Sequence, residues 1–140
     1  MLTRTRFCAL TAVALLGFAA PMFAQSPPAT TSVTIGGKTL AIKYSAPSVR
    51  GRKIFGAGGL LSQDPTYPAW RAGANAATAF HTDADLDIGG LAVPKGNYTI
   101  YCWVADPNNW QLIISKETGQ WGLTYHANLD LGRVKMTMAK

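Results

Sequence analysis

From Val33 onward, apolar and polar residues alternate with period two over short stretches, the pattern of strands that bury one face. Val33 and Ile35 flank Thr34, Gly36-Gly37 follows, and Leu40, Ile42 and Tyr44 resume the alternation. Paired glycines tolerate the positive φ of a tight turn, so this stretch predicts a hairpin, which Pro47 ends. Ser48 to Pro68 is rich in glycine and proline and reads as loop. Regular structure returns near Ala76. Phe80, Thr82, Ala84, Leu86 and Ile88 fall on one parity and His81, Asp83, Asp85 and Asp87 on the other. Gly89-Gly90 turns the chain into Leu91 and Val93, and Pro94-Lys95-Gly96 turns it again. Tyr98 to Ala105 is the strongest strand pattern, and Asp106-Pro-Asn-Asn109 leads it into Trp110 to Lys116 as a second hairpin. Trp121–Tyr125 and Arg133–Met138 are two shorter strand candidates. No window shows a 3.6-residue period. Many short strands with regular turns predict an all-β domain, a small antiparallel β-sandwich or open barrel.

The first residues differ in kind. Arg4 and Arg6 precede an apolar and small-residue run, Phe7 to Ala20, and Ala24 offers a small residue for cleavage. That run falls short of the ~20 residues a membrane-spanning helix needs, so residues 1–24 read as a secretory signal peptide. Cys8 lacks a small apolar lipobox before it. The expectation is export to the periplasm or exterior, release without membrane insertion, a linker over residues 25–31 and one domain over 32–140. Without the leader the chain keeps 11 basic against 7 acidic residues, a net charge of +4 rather than +6. Such a balance argues against a nucleic-acid partner. Cys102 alone remains of two cysteines, so no internal disulfide forms and packing must supply the stability.

Three stretches carry a resemblance. They are Ile42-Lys-Tyr-Ser-Ala-Pro47 with Val49-Arg-Gly-Arg-Lys-Ile-Phe-Gly56; Trp70-Arg-Ala-Gly-Ala-Asn-Ala-Ala-Thr78; and Val93-Pro-Lys-Gly-Asn-Tyr-Thr-Ile-Tyr101. The last is followed by Trp110-Gln-Leu-Ile-Ile114 and Lys116-Glu-Thr-Gly-Gln-Trp-Gly122. Together they resemble a family of exported bacterial proteins catalogued as domain of unknown function 2911. The resemblance implies a periplasmic or secreted β-sandwich-like domain and brings no agreed activity or catalytic residues. Ser62–Pro68 departs from the family's short turn before the Trp-Arg motif. The family pattern also continues with strands beyond Asp130–Met138, so the chain reads as a shortened member missing C-terminal strands. An open sheet edge there would invite edge-strand association.

Trp70, Arg71 and Asn75 form the leading site candidate. Arginine offers a planar fork for carboxylate or phosphate, asparagine both donor and acceptor, and Gly73 a close backbone approach. The structural alternative has Arg71 and Asn75 tying loop carbonyls to the sheet while Trp70 fills core. Arg50, Arg52 and Lys53 converge with Arg71 on an anion if their loop folds back over Trp70; otherwise they form a solvated basic loop. The His81–Asp87 row lacks the glycine and terminal glutamate of a calcium loop and reads as a solvated polar face. Tyr98, Ile100, Cys102 and Val104 read as core, with Cys102 a small hydrophobe. Tyr101 and Trp103 share the other face, which offers either a sugar platform or more packing. His81 and His126 have no recognisable nucleophile motif beside them.

Three function classes remain open. One is a non-catalytic binding or accessory domain built on Arg50, Arg52, Lys53, Trp70, Arg71 and Asn75, with a glycan, an anion or an envelope protein as partner. The second is a hydrolase of envelope substrates with His81 or His126 as base, and the third a structural or interaction module. No cofactor or metal is expected for any of them.

Overall fold

A computed structural model describes residues 26–137 and 139. The leader expected at 1–24 and Met138 lie outside the described residues. The first glycine pair closes a hairpin as the alternation predicts. β1 (Pro28–Ile35) pairs with β2 (Lys38–Ser45) in full register from Pro28↔Ser45 to Ile35↔Lys38. β1 starts inside the segment expected to be linker, because Ala46 N–H reaches the Pro27 carbonyl and proline is tolerated where an edge strand begins.

The loop after Pro47 contains one 3-10 turn (Leu60–Gln63) and leads into the two-residue β3 (Ala69–Trp70). β4 (Thr78–Thr82) then joins β2 antiparallel, with Ile42 opposite Phe80. The expected long strand through Asp87 breaks after Thr82. Its hydroxyl donates to the Ala84 carbonyl (2.7 Å) and accepts the Ala84 N–H (3.1 Å), a local bond that competes with the ladder. β5 (Leu86–Ile88) and β6 (Leu91–Val93) form a separate small hairpin.

β7 (Gly96–Trp103) is the middle of the main sheet. Its first half pairs with β4, its last two residues pair with β3, and its other edge pairs with β8 (Gln111–Ser115). β9 (Asp130–Lys135) completes the order β1-β2-β4-β7-β8-β9, with a register shift at Ile114/Ser115. The last strand therefore starts three residues earlier than its sequence pattern suggested. Trp121–Tyr125 makes no strand. It contributes one bridge, Ala76↔Trp121, inside an irregular segment.

All ladders are antiparallel, and the sheet does not close into a barrel. The fold is all-β and sandwich-like, with different cover on its two faces. On one face the β5–β6 hairpin covers Phe80, Tyr98 and Ile114, burying Val93 and packing Leu86, Ile88 and Leu91 against them. Gly132 permits this approach, since a Cβ there would lie 2.5 Å from a Leu91 methyl. On the other face the segment after β8 covers Tyr101 and Ile113, with the Tyr125 ring centred 4.9 Å from that of Tyr101 and tilted by 59°.

β7 is thus covered on both sides, which decides between the two readings of its aromatic face in favour of packing. Tyr101 is 0 % exposed and is no sugar platform. Its hydroxyl donates to the Thr124 carbonyl (2.8 Å) and accepts from the Gln120 amide (2.8 Å), and burial pushes its pKa up. Trp103 is half-buried, with the Arg133 guanidinium 4.5 Å above its ring. Tyr98, Cys102 and Val104 are core as expected, and burial pushes the Cys102 thiol pKa up, which keeps it protonated.

Candidate functional site

The Trp70–Asn75 motif leaves the sheet as an irregular crossing. Ala72 and Asn75 both take positive φ, +53° and +59°, a conformation asparagine adopts more readily than most residues. The crossing is fixed on both flanks. Ala74 N–H donates to the Ser45 carbonyl at the end of β2, and Gly122 N–H donates to the Asn75 carbonyl from the segment after β8. Gly73 and Gly122 are both buried, and added side chains there would meet Ser45 and Arg71 respectively.

Arg71 is 16 % exposed and donates from Nη1 to Asp64 Oδ2 at 3.1 Å. Its buried Nε has no partner among the described residues, an orphan donor of the kind that costs free energy unless something accepts from it. Asn75 gives its amide N–H to the Ser26 carbonyl (3.3 Å) and ties down the segment just before β1. Trp70 meets Phe55 edge-on at 5.5 Å, and Trp110 closes the aromatic cluster 5.1 Å from Phe55.

The basic loop does fold back. Arg52 Nε and Nη2 donate to the Val49 and Ser48 carbonyls (3.0 and 2.7 Å), which holds its guanidinium at the rim of the Trp70 motif. Between them opens a cleft of about 520 Å³. Ile54, Phe55, Leu60 and Leu61 form much of its wall, and Arg52, Arg71 and Asp64 supply its charged groups. With two guanidinium groups against one carboxylate, the cleft carries one net positive charge.

Three of the six expected site residues, Arg52, Trp70 and Arg71, line this cleft; Arg50, Lys53 and Asn75 do not. Arg50 is exposed with φ +50°, and the Lys53 ammonium donates to the Ala57 carbonyl of its own loop. Asp64 was missed by sequence reasoning. The available signal was an acid in the Ser62–Pro68 stretch, seven residues before an arginine.

Both histidines sit away from this cleft, each beside a carboxylate. His126 Nδ1 is 2.9 Å from Glu117 Oε2. His81 Nδ1 is 2.8 Å from Asn97 Oδ1, and its Nε2 is 3.0 Å from Asp83 Oδ1. Among the described residues, no hydroxyl or thiol is hydrogen-bonded to either ring, so neither pair has the nucleophile a hydrolytic triad requires. No group of three metal-ligating side chains converges among the described residues. The aspartate row is held by backbone instead. Asp83 accepts from Thr39 N–H, Asp85 from Lys95 N–H and Asp87 from Gly90 N–H, at 3.0, 2.8 and 2.7 Å.

The His81–Asp83 pair gives the domain a pH signature. Hydrogen bonds to Asn97 and Asp83 raise the His81 pKa above its ordinary 6.5. The Thr39 N–H and then His81 lower Asp83 below its ordinary 3.8. Stability from His81 is therefore complete below pH 6.5 and fades as pH rises through the raised folded value. That from Asp83 is present above 3.8 and fades as pH falls through its lowered one. Compared with His81→Gln, wild type should show a larger advantage in melting temperature at pH 5.5 than at pH 8.5. Equal advantages at the two pH values would contradict the protonated pair.

Fold and crossing together define an all-β, sandwich-like domain that carries an apolar cleft with a cationic rim. The family model described as a protein of unknown function, DUF2911, matches residues 26–140, and the chain belongs to that family. No curated protein and no solved structure is significantly similar to it.

Proposed function

We propose that the chain is an exported, non-catalytic binding module of the cell envelope. Its cleft takes a small ligand with an apolar body and one anionic group. The carrying observation is the meeting of Arg52 and Arg71 with Trp70 around a largely apolar cavity of about 520 Å³. That volume is within the range of small-molecule sites, which are mostly apolar with a few placed polar groups. One net positive charge suits a carboxylate or phosphate monoester better than a neutral glycan, and apolar walls suit an alkyl or aryl body. Arg52 Nη1 is a donor without a partner among the described residues. Export rests on the leader pattern.

Octanoate and octyl phosphate are the test probes, octanol the neutral control, and tryptophan fluorescence with calorimetry the readout. Both anions should bind and octanol should bind far more weakly. A charge-assisted hydrogen bond is worth about 1.5–3 kcal/mol, so Arg52→Gln should weaken octyl phosphate roughly tenfold or more. Equal affinity for octanol, or an unchanged affinity in a folded Arg52→Gln variant, would sink the reading.

A further inference from the structure

The two edges of the main sheet are built differently. β9 carries Asp130, Arg133 and Lys135, meets β8 through a register shift, and lies beneath the β5–β6 hairpin, whose Gly89 approaches Val134. Charges, an irregularity and a covering element are the usual means of keeping an edge from pairing. Among the described residues, β1 has none of them. Its sequence Pro28-Ala-Thr-Thr-Ser-Val-Thr-Ile35 is uncharged, regular in register and exposed along nearly its whole length. Val33 and Ile35 are 51 % and 66 % exposed. The bare edge is thus at the start of the sheet rather than at its last strand.

The turn geometry says which backbone groups are free. A two-residue turn closes on a hydrogen-bonded pair, here Ile35 with Lys38, and such pairs recur at every second residue. Ala29, Thr31, Val33 and Ile35 therefore direct their backbone groups to β2, consistent with the bond from Ala46 N–H to the Pro27 carbonyl. Thr30, Ser32 and Thr34 direct theirs outward, where no described residue accepts from them.

We infer that this edge is an interface for a second copy of the chain, paired antiparallel through β1 and centred on Thr31. In that register Thr30 and Ser32 of one copy exchange both backbone bonds with Ser32 and Thr30 of the other. Thr34 N–H meets the opposite Pro28 carbonyl, while the Thr34 carbonyl, facing a proline without an N–H, stays with water at each end of the ladder. All three outward N–H groups of each copy find acceptors. Val33 falls opposite Ala29, large against small, and Thr31 opposite Thr31, a favourable cross-strand pair. No charge opposes another anywhere along the strand. Val33 and Ala29 share the face that carries Ile42 and Phe80, so pairing extends the covered apolar surface across the two-fold axis.

Sedimentation of the protein expressed from its full sequence, over a hundredfold range of concentration, tests this. Wild type should pass from monomer to dimer as concentration rises. Ser32→Pro removes an outward N–H while leaving the β1–β2 ladder intact, and should be monomeric throughout with an unchanged far-ultraviolet spectrum. Thr31→Lys and Thr31→Glu should each be monomeric alone, through like charges opposed at the axis, and should form a mixed dimer when combined. A wild type that stays monomeric overturns the inference. So does a dimer that survives in folded Ser32→Pro, or a failure of the two charged variants to combine.

Discussion

Gly122→Ala is expected to destabilise the protein by about 3 kcal/mol, the upper part of the usual range for forcing atoms into a packed site. A Cβ at this position would fall inside van der Waals contact of Arg71 Cδ and the Asn75 carbonyl oxygen. Neither neighbour can retreat easily. Arg71 is held by its ion pair with Asp64, and the Asn75 carbonyl is backbone that accepts the Gly122 N–H. The Gly122 substitution therefore either undocks the segment after β8 or displaces the Trp70–Asn75 crossing. Urea denaturation followed by far-ultraviolet dichroism measures the cost. A loss below about 0.5 kcal/mol, ordinary for a surface change, would mean that the two segments are not locked together.

Tyr101→Ala should cost about 3–5 kcal/mol, the range found when buried aromatic side chains are truncated. Tyr101 is fully buried in the central strand, between Ala69, Ile113 and Tyr125. Tyr101→Phe isolates the hydroxyl. It leaves the Thr124 carbonyl and the Gln120 amide without their shared partner, at a cost of about 1–3 kcal/mol. A destabilisation in the phenylalanine variant indistinguishable from zero would show that water replaces the hydroxyl and that this cover is looser than its geometry suggests.

Hairpins were the legible part of this fold. Period-two alternation and glycine or Asp-Pro-Asn turns located β1–β2, β5–β6 and β7–β8, because both signals act over a few neighbouring residues. The alternation rule left the second face of β7 undecided, because its premise does not hold there. It presumes one wet face per strand, and β7 has none. Thr99 and Tyr101 are covered by Gln120 and Tyr125, about twenty residues downstream, and nothing in Tyr98–Ala105 announces that. Thr82 ended β4 through its own hydroxyl, a competition that apolar periodicity does not register.

The site was legible as two pieces and not as a whole. Arg50–Lys53 and Trp70–Asn75 stood out as unusual loop chemistry, but loop closure decides which members meet. Arg52 binds the Val49 and Ser48 carbonyls, whose residues line the cleft, whereas Lys53 binds Ala57, which does not. Asn75 has a structural task at the Ser26 carbonyl, and Asp64 enters by pairing with Arg71. Gly122 stood in one of the resemblance-bearing stretches, and its role is to let Arg71 and Asn75 pass.

The sheet order has a consequence for how the chain reaches this state. β1–β2 and β7–β8 join neighbours across short turns, but β2 meets β4 only through pairs such as Ile42 with Phe80, separated by the whole loop that builds the cleft. Local hairpins close early and such non-local pairings late, which places a β-rich chain of this kind in the millisecond-to-second range of folding times, on the order of other sandwiches. The cleft is bounded on one side by Tyr44 and on the other by Trp70 and Arg71, so it exists only when the ends of β2 and β3 are held together across that loop. A ligand that fills it would bind the folded chain alone and so stabilise it by mass action.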